Sequence, residues 1–151
     1  MIKVLFICHG NICRSPMAEY VMKDLVKKAG LENNFYIESA ATSREEIGNS
    51  VYPPARRMLE KHSISCGNHS ARQLTKEDYE KFDFLIGMDS ANLNNMHRIC
   101  GGDHLKKMSL LMDFTHRPGN VADPWYSGDF ETAWEDIYEG CKCLLEKMLI
   151  K

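Results

Sequence analysis

From Lys3 to Ile7 the chain is a near-continuous apolar, β-rich run with no polar alternation. A strand with one face in water alternates apolar and polar residues. A strand without that alternation is buried on both faces, as in parallel sheets covered by helices on either side. The rest of the chain fits that demand. After a polar loop, Cys8 to Arg14, apolar residues recur at helical spacing as Met17, Ala18, Val21, Met22, Leu25, Val26 and Ala29, which predicts an amphipathic helix. Ser15 is its expected N-cap, Pro16 its first helical residue and Gly30 its stop.

Strand and helix patterns then alternate. Phe35 to Ala40 reads as a second strand, Pro53 to about His62 as a helix, and Thr75 to Phe82 as a short helix with a capping-box start. Phe84 to Met88 reads as a third strand, about Ser90 to Ile99 as a helix, and Lys107 to Met112 as a fourth strand. A loop from Asp113 to Gly128 precedes a final helix, Phe130 to about Ile150. This order predicts a doubly wound α/β domain: three layers, with a four-stranded parallel sheet between helices. The 151 residues fit one domain spanning the chain.

Charge and cysteine content narrow the partners. The net charge is −2, with 19 basic and 21 acidic residues dispersed along the chain, so neither nucleic acid nor an anionic membrane is an expected partner. The apolar start is too short for a signal peptide or a membrane span. A cytoplasmic, reducing location is therefore expected, where the six cysteines are catalytic or buried rather than bridged. No Cys or His pairs have zinc spacing, and neither metal nor cofactor is expected. Cys141 and Cys143 read as helix-packing residues.

In open α/β sheets ligands bind beyond the carboxyl ends of the strands. Here that place is the loop Cys8-His9-Gly10-Asn11-Ile12-Cys13-Arg14-Ser15. It runs into a helix N-terminus, where free N–H groups and the helix dipole favour an anion. Successive loop amides can nest around a phosphate. Gly10 and Asn11 are residue types that tolerate positive φ. Arg14 offers a planar fork for two phosphate oxygens. Cys8 ends the strand, aimed at the cradle, in a field that favours thiolate over thiol. A thiolate in a cradle shaped for a phosphate is poised for in-line attack on phosphorus.

A cysteine, five residues, then arginine and serine is the signature of cysteine-dependent phosphatases. With Pro16-Met17-Ala18-Glu19 following, the string closely resembles the low-molecular-weight protein tyrosine phosphatase family. The resemblance continues through Ser39 to Ser43, Ala71 to Asp78, Met88-Asp89, Asp123-Pro124-Trp125-Tyr126 and Asp129 to Thr132. It implies the phosphotyrosine protein phosphatase I-like fold and hydrolysis of phosphotyrosine in proteins and of aryl phosphates.

Carried over residue by residue, Cys8 is the residue that becomes phosphorylated. Arg14 binds the phosphoryl oxygens, and Ser15 donates a hydrogen bond to the sulfur. Asp123 is the general acid and then the general base. His9, Gly10, Asn11, Ile12 and Cys13 complete the phosphate loop, with Cys13 able to bridge reversibly to Cys8 under oxidant. Trp125 and Tyr126 wall the phenol ring. Asn11, Ser39 and His69 hold the loop in shape. Phosphotyrosine proteins are the implied partners, and a monomer or weak self-association the implied state.

The chain departs from the family at Arg44 and Glu45, where an aromatic residue is frequent, and at His9. A more charged pocket rim is therefore expected. Arsenate reductase shares the loop but needs a further cysteine pair near the third strand, where only Cys100 falls. A protein arginine phosphatase carries threonine where this chain has Ile12. A phosphocarrier needs no acid to expel phenolate, which Asp123 and Trp125 argue against.

Overall fold

A computed structural model describes residues 1–149, and Ile150 of the expected last helix lies outside them. The first strand, β1 (Ile2–Cys8), is buried from Val4 onward. It pairs in parallel with β2 (Phe35–Ala41) on one side and β3 (Phe84–Gly87) on the other. A short fourth strand, β4 (Met108–Leu110), extends the sheet beyond β3, giving the order β2-β1-β3-β4. All pairings are parallel, so both faces must be covered.

Helices α1 (Arg14–Lys28), α2 (Pro53–Lys61) and α6 (Phe130–Leu149) cover one face. Their apolar residues join Val4, Phe6 and Cys8 in one buried cluster. Helices α3 (Lys76–Lys81) and α4 (Ser90–Cys100) cover the other. There Tyr79, Phe82 and Met96 pack on Leu5 and Ile7. The alternation of β1 side chains between the two clusters follows from the period of two along a strand. This is the expected three-layer, doubly wound α/β fold.

Three local readings need correction. Ser15 is not a cap: α1 starts at Arg14 with Cys13 at the N-cap position. The Ser15 hydroxyl turns to Cys8 and Asn11 instead of capping the helix end. The fourth strand stops at Leu110, where the chain tightens into a 3-10 turn, Leu111–Phe114, as Asp113 accepts the Leu110 amide. The expected long loop contains a one-turn helix, α5 (Pro124–Ser127), capped by Asp123.

The sheet reverses its winding between β1 and β3, and the crevice beyond their carboxyl ends is where such folds hold ligands. Residues 8–15 lie at that point.

Candidate active site

Asn11 takes a left-handed backbone, with φ of 60°. A conformation of that kind costs about 1–3 kcal/mol and persists only when its surroundings fix it. Asn11 is fully buried, and its side chain is held at both ends. Its Nδ2 donates to Ser15 Oγ at 2.8 Å and to Ser39 Oγ at 2.9 Å. Its Oδ1 accepts the Arg72 amide at 3.2 Å. Its carbonyl lies 2.8 Å from His69 Nε2, which must carry the hydrogen because a carbonyl only accepts. Gly10, by contrast, keeps an ordinary φ. Its use is space, since a Cβ there would lie 3.3 Å from the Cγ of Glu46.

The donors form a directed chain. An amide nitrogen only donates, so each serine that receives Asn11 has its own hydrogen to give onward. Ser39 gives it to Oε1 of buried Glu19 at 2.6 Å. Ser15 gives it to Sγ of Cys8 at 3.0 Å. The amides of Asn11 and Ser15 point at the same sulfur, at 3.3 and 3.4 Å. Three donors thus converge on the Cys8 sulfur.

Arg14 is 2 % exposed. Its Nη1 donates to Asp89 at 2.7 Å and to the Val121 carbonyl at 2.9 Å, and its Nη2 to Asp123 at 3.4 Å. Burial works against its charge, but the Cys8 sulfur and the two aspartates outweigh it and hold its pKa above the ordinary value. Burial, then the negative charge at Cys8 and Asp123, pushes the Cys13 thiol far up, so Cys13 stays protonated.

Cys8, His9, Gly10, Ile12, Cys13, Arg14, Glu45, Asp123, Trp125 and Tyr126 all line one pocket at this point. Asn11 and Ser15 sit behind the loop, fully buried, with Ser39 and His69 behind them. Four residues that sequence reasoning assigned no role also take part. Asp89 seats Arg14, and Glu19 ends the donor chain. Glu46 lines the pocket mouth. Tyr52 lies 4.8 Å from the ring of Trp125, stacks on Phe130 at 6.1 Å, and donates its amide to Ile12. No pattern of spacing marks these four; the motifs Pro16-Met17-Ala18-Glu19 and Met88-Asp89 contain two of them without giving either a role.

A cysteine at the end of a buried parallel strand, under amides and a buried arginine, defines a phosphatase built on an anion cradle. Residues 3–151 match the family model described as low molecular weight phosphotyrosine protein phosphatase. The chain is 42% identical over 149 residues to the chicken low molecular weight phosphotyrosine protein phosphatase, covering 95% of this chain and 94% of that one. It is 37% identical over 147 residues to YfkJ of Bacillus subtilis, a low molecular weight protein-tyrosine-phosphatase, covering 96% and 94%. The crystal structure of YfkJ superposes with a TM-score of 0.96 over 99% of this chain and 95% of its own. A Drosophila arginine phosphatase superposes with a TM-score of 0.88 at 29% identity, over 97% and 98%. The chain belongs to the low-molecular-weight phosphotyrosine protein phosphatase family, and it is a protein-tyrosine-phosphatase.

Proposed function

We propose that the chain hydrolyses phosphotyrosine in proteins in two in-line steps through a phosphocysteine on Cys8. The phosphoryl group sits under the loop amides, with two oxygens on Arg14. The Cys8 sulfur attacks phosphorus as the aryl oxygen leaves, and the Asp123 carboxyl gives that oxygen its proton. The Asp123 carboxylate then takes a proton from water, which attacks phosphorus and releases phosphate. Ser15 steadies the departing sulfur with its hydroxyl hydrogen. General acid help of this kind is worth about 10²–10⁴-fold. Trp125 and Tyr126 take the phenol ring between them and the loop.

The observation that carries this reading is the convergence on one pocket of a triply donated sulfur, a buried guanidinium and an aspartate touching it. Asp123 is held by the Trp125 amide at 3.0 Å through the oxygen that does not face Arg14. A phosphoryl oxygen on Arg14 displaces the other one and frees it for the leaving group. Ile12 lines the pocket with no hydroxyl to offer, which favours tyrosine over arginine substrates. The chemistry needs Cys8 reduced and so fits the cytoplasm. Residues 1–151 act as one domain, with no second copy needed to complete the site.

The test is turnover of p-nitrophenyl phosphate with a chelator present. Wild type should show a burst of phenolate ahead of steady release. Cys8→Ser should abolish turnover, and Asp123→Ala should slow it strongly. Undiminished turnover in Cys8→Ser defeats the reading.

A further inference from the structure

The pocket mouth carries an excess of acid. Glu45, Glu46 and Asp123 line it, against the cations Arg14 and, when protonated, His9. Arg14 is committed inward, to Asp89 at 2.7 Å and Asp123 at 3.4 Å. His9 Nε2 lies 3.2 Å from Glu45, and both side chains are exposed, at 49% and 68%. Protonated His9 therefore neutralises one rim carboxylate at most. Arg44, next in sequence, turns away and gives its Nε to Gln73 at 3.2 Å.

Glu46 is the firmer of the two. Its stem lies against Gly10, where a Cβ would come within 3.3 Å, and its Oε1 accepts from Asn49 at 2.9 Å. Among the described residues it has no cationic partner. Its charge is thus held at the loop by packing, with nothing from the protein to cancel it.

A ring of carboxylates around a cradle for a dianion repels acidic substrate segments and attracts basic ones. We propose that Glu45 and Glu46 select phosphotyrosine segments carrying lysine or arginine beside the phosphotyrosine. The inference rests on the phosphotyrosine reading above and names the substrate class within it. The wall opposite Trp125 and Tyr126 recognises the charge of the peptide rather than the ring. Exposed ion pairs contribute about 1.5- to 5-fold each, so two give a preference on the order of tenfold. They weaken as salt shortens the screening length from about 30 Å at 0.01 M to about 8 Å at physiological strength.

The test uses one phosphotyrosine peptide in three forms, flanked on both sides by lysine, alanine or glutamate, with p-nitrophenyl phosphate alongside. The readout is the ratio of kcat/KM between lysine and glutamate forms within one enzyme, so changes common to both cancel. Wild type should show a ratio of about ten at low salt, falling towards two as salt rises. The doubly substituted Glu45→Gln, Glu46→Gln enzyme should hold it near two throughout. A wild-type ratio near one, one favouring glutamate, or one unmoved by both substitutions overturns the inference. If wild type hydrolyses p-nitrophenyl phosphate with a flat ratio, only the inference falls. If it hydrolyses neither that ester nor any peptide, the phosphotyrosine reading falls with it.

Discussion

Asp89 accepts a hydrogen bond from Nη1 of Arg14 at 2.7 Å, across 75 positions of sequence. The same carboxylate caps α4 by accepting the Asn92 amide at 2.8 Å. One side chain therefore ends a helix and fixes the plane of the buried guanidinium. Asp89→Ala removes both. It should destabilise the fold by about 2–4 kcal/mol, since a buried cation loses its closest partner and a helix its cap. It should also lower kcat/KM for aryl phosphates by about 10- to 100-fold, because a misplaced fork no longer matches the phosphoryl oxygens. Urea unfolding and p-nitrophenyl phosphate kinetics measure the two effects.

Ser15→Ala separates helix stability from chemistry. Alanine is the better helix former, and the position is inside α1, so the helix should persist. Cys8 loses its hydroxyl donor and Asn11 one of two serine partners. The expected result is a drop in kcat of about 10- to 100-fold while the phenolate burst survives, because release of the sulfur slows. Stopped-flow absorbance shows whether the burst outlasts the loss of steady rate.

Asp103 titrates below the ordinary carboxylate range. Burial works the other way, but the Tyr79 hydroxyl and the amides of Lys107 and Met108 outweigh it. A depressed folded-state pKa means that the ionised form stabilises the fold. That contribution is complete above the unfolded value, about 3.9, and is lost as pH falls through the folded one. Asp103→Asn should cost about 1 kcal/mol at pH 7. The gap from wild type should close as pH drops below about 4, as read by thermal unfolding across that range.

Gly140 faces Leu111 so closely that a Cβ would lie 2.5 Å from the leucine Cγ. Alanine gains about 1 kcal/mol of helix propensity over glycine, but overpacking a filled core costs about 1–3 kcal/mol. The contact falls on a branch point, not on a flexible end, so the clash should win. Gly140→Ala should lower the urea midpoint, and the loss in Gly140→Ala with Leu111→Ala should be smaller than the sum of the two single losses.

The cradle was legible because residues 8–15 are contiguous and each has a chemical reason for its place. The parallel sheet was legible because Lys3 to Ile7 lacks alternation. The cap reading of Ser15 fails because a serine before a proline looks like a cap, whereas its contact with the sulfur is legible only through the family resemblance and not from local pattern. Gly10 was expected to bend the backbone, whereas it makes room for Glu46, a neighbour set by tertiary packing. Asp89, Glu19 and Tyr52 act through contacts spanning from 20 to 75 positions or through ring stacking on Phe130, and local sequence does not report such contacts. Leu111 and Met112 read as strand because they are apolar and buried, a pattern that a 3-10 turn under α6 satisfies equally.

The seat of Arg14 is made of parts spread far along the polypeptide, at positions 89 and 121. During synthesis Cys8 and Arg14 emerge first, and the seat of the guanidinium stays unfinished until most of the chain has followed. A ribosome-bound fragment ending before residue 89 thus carries Arg14 without either of the partners, Asp89 and Val121, that seat its guanidinium.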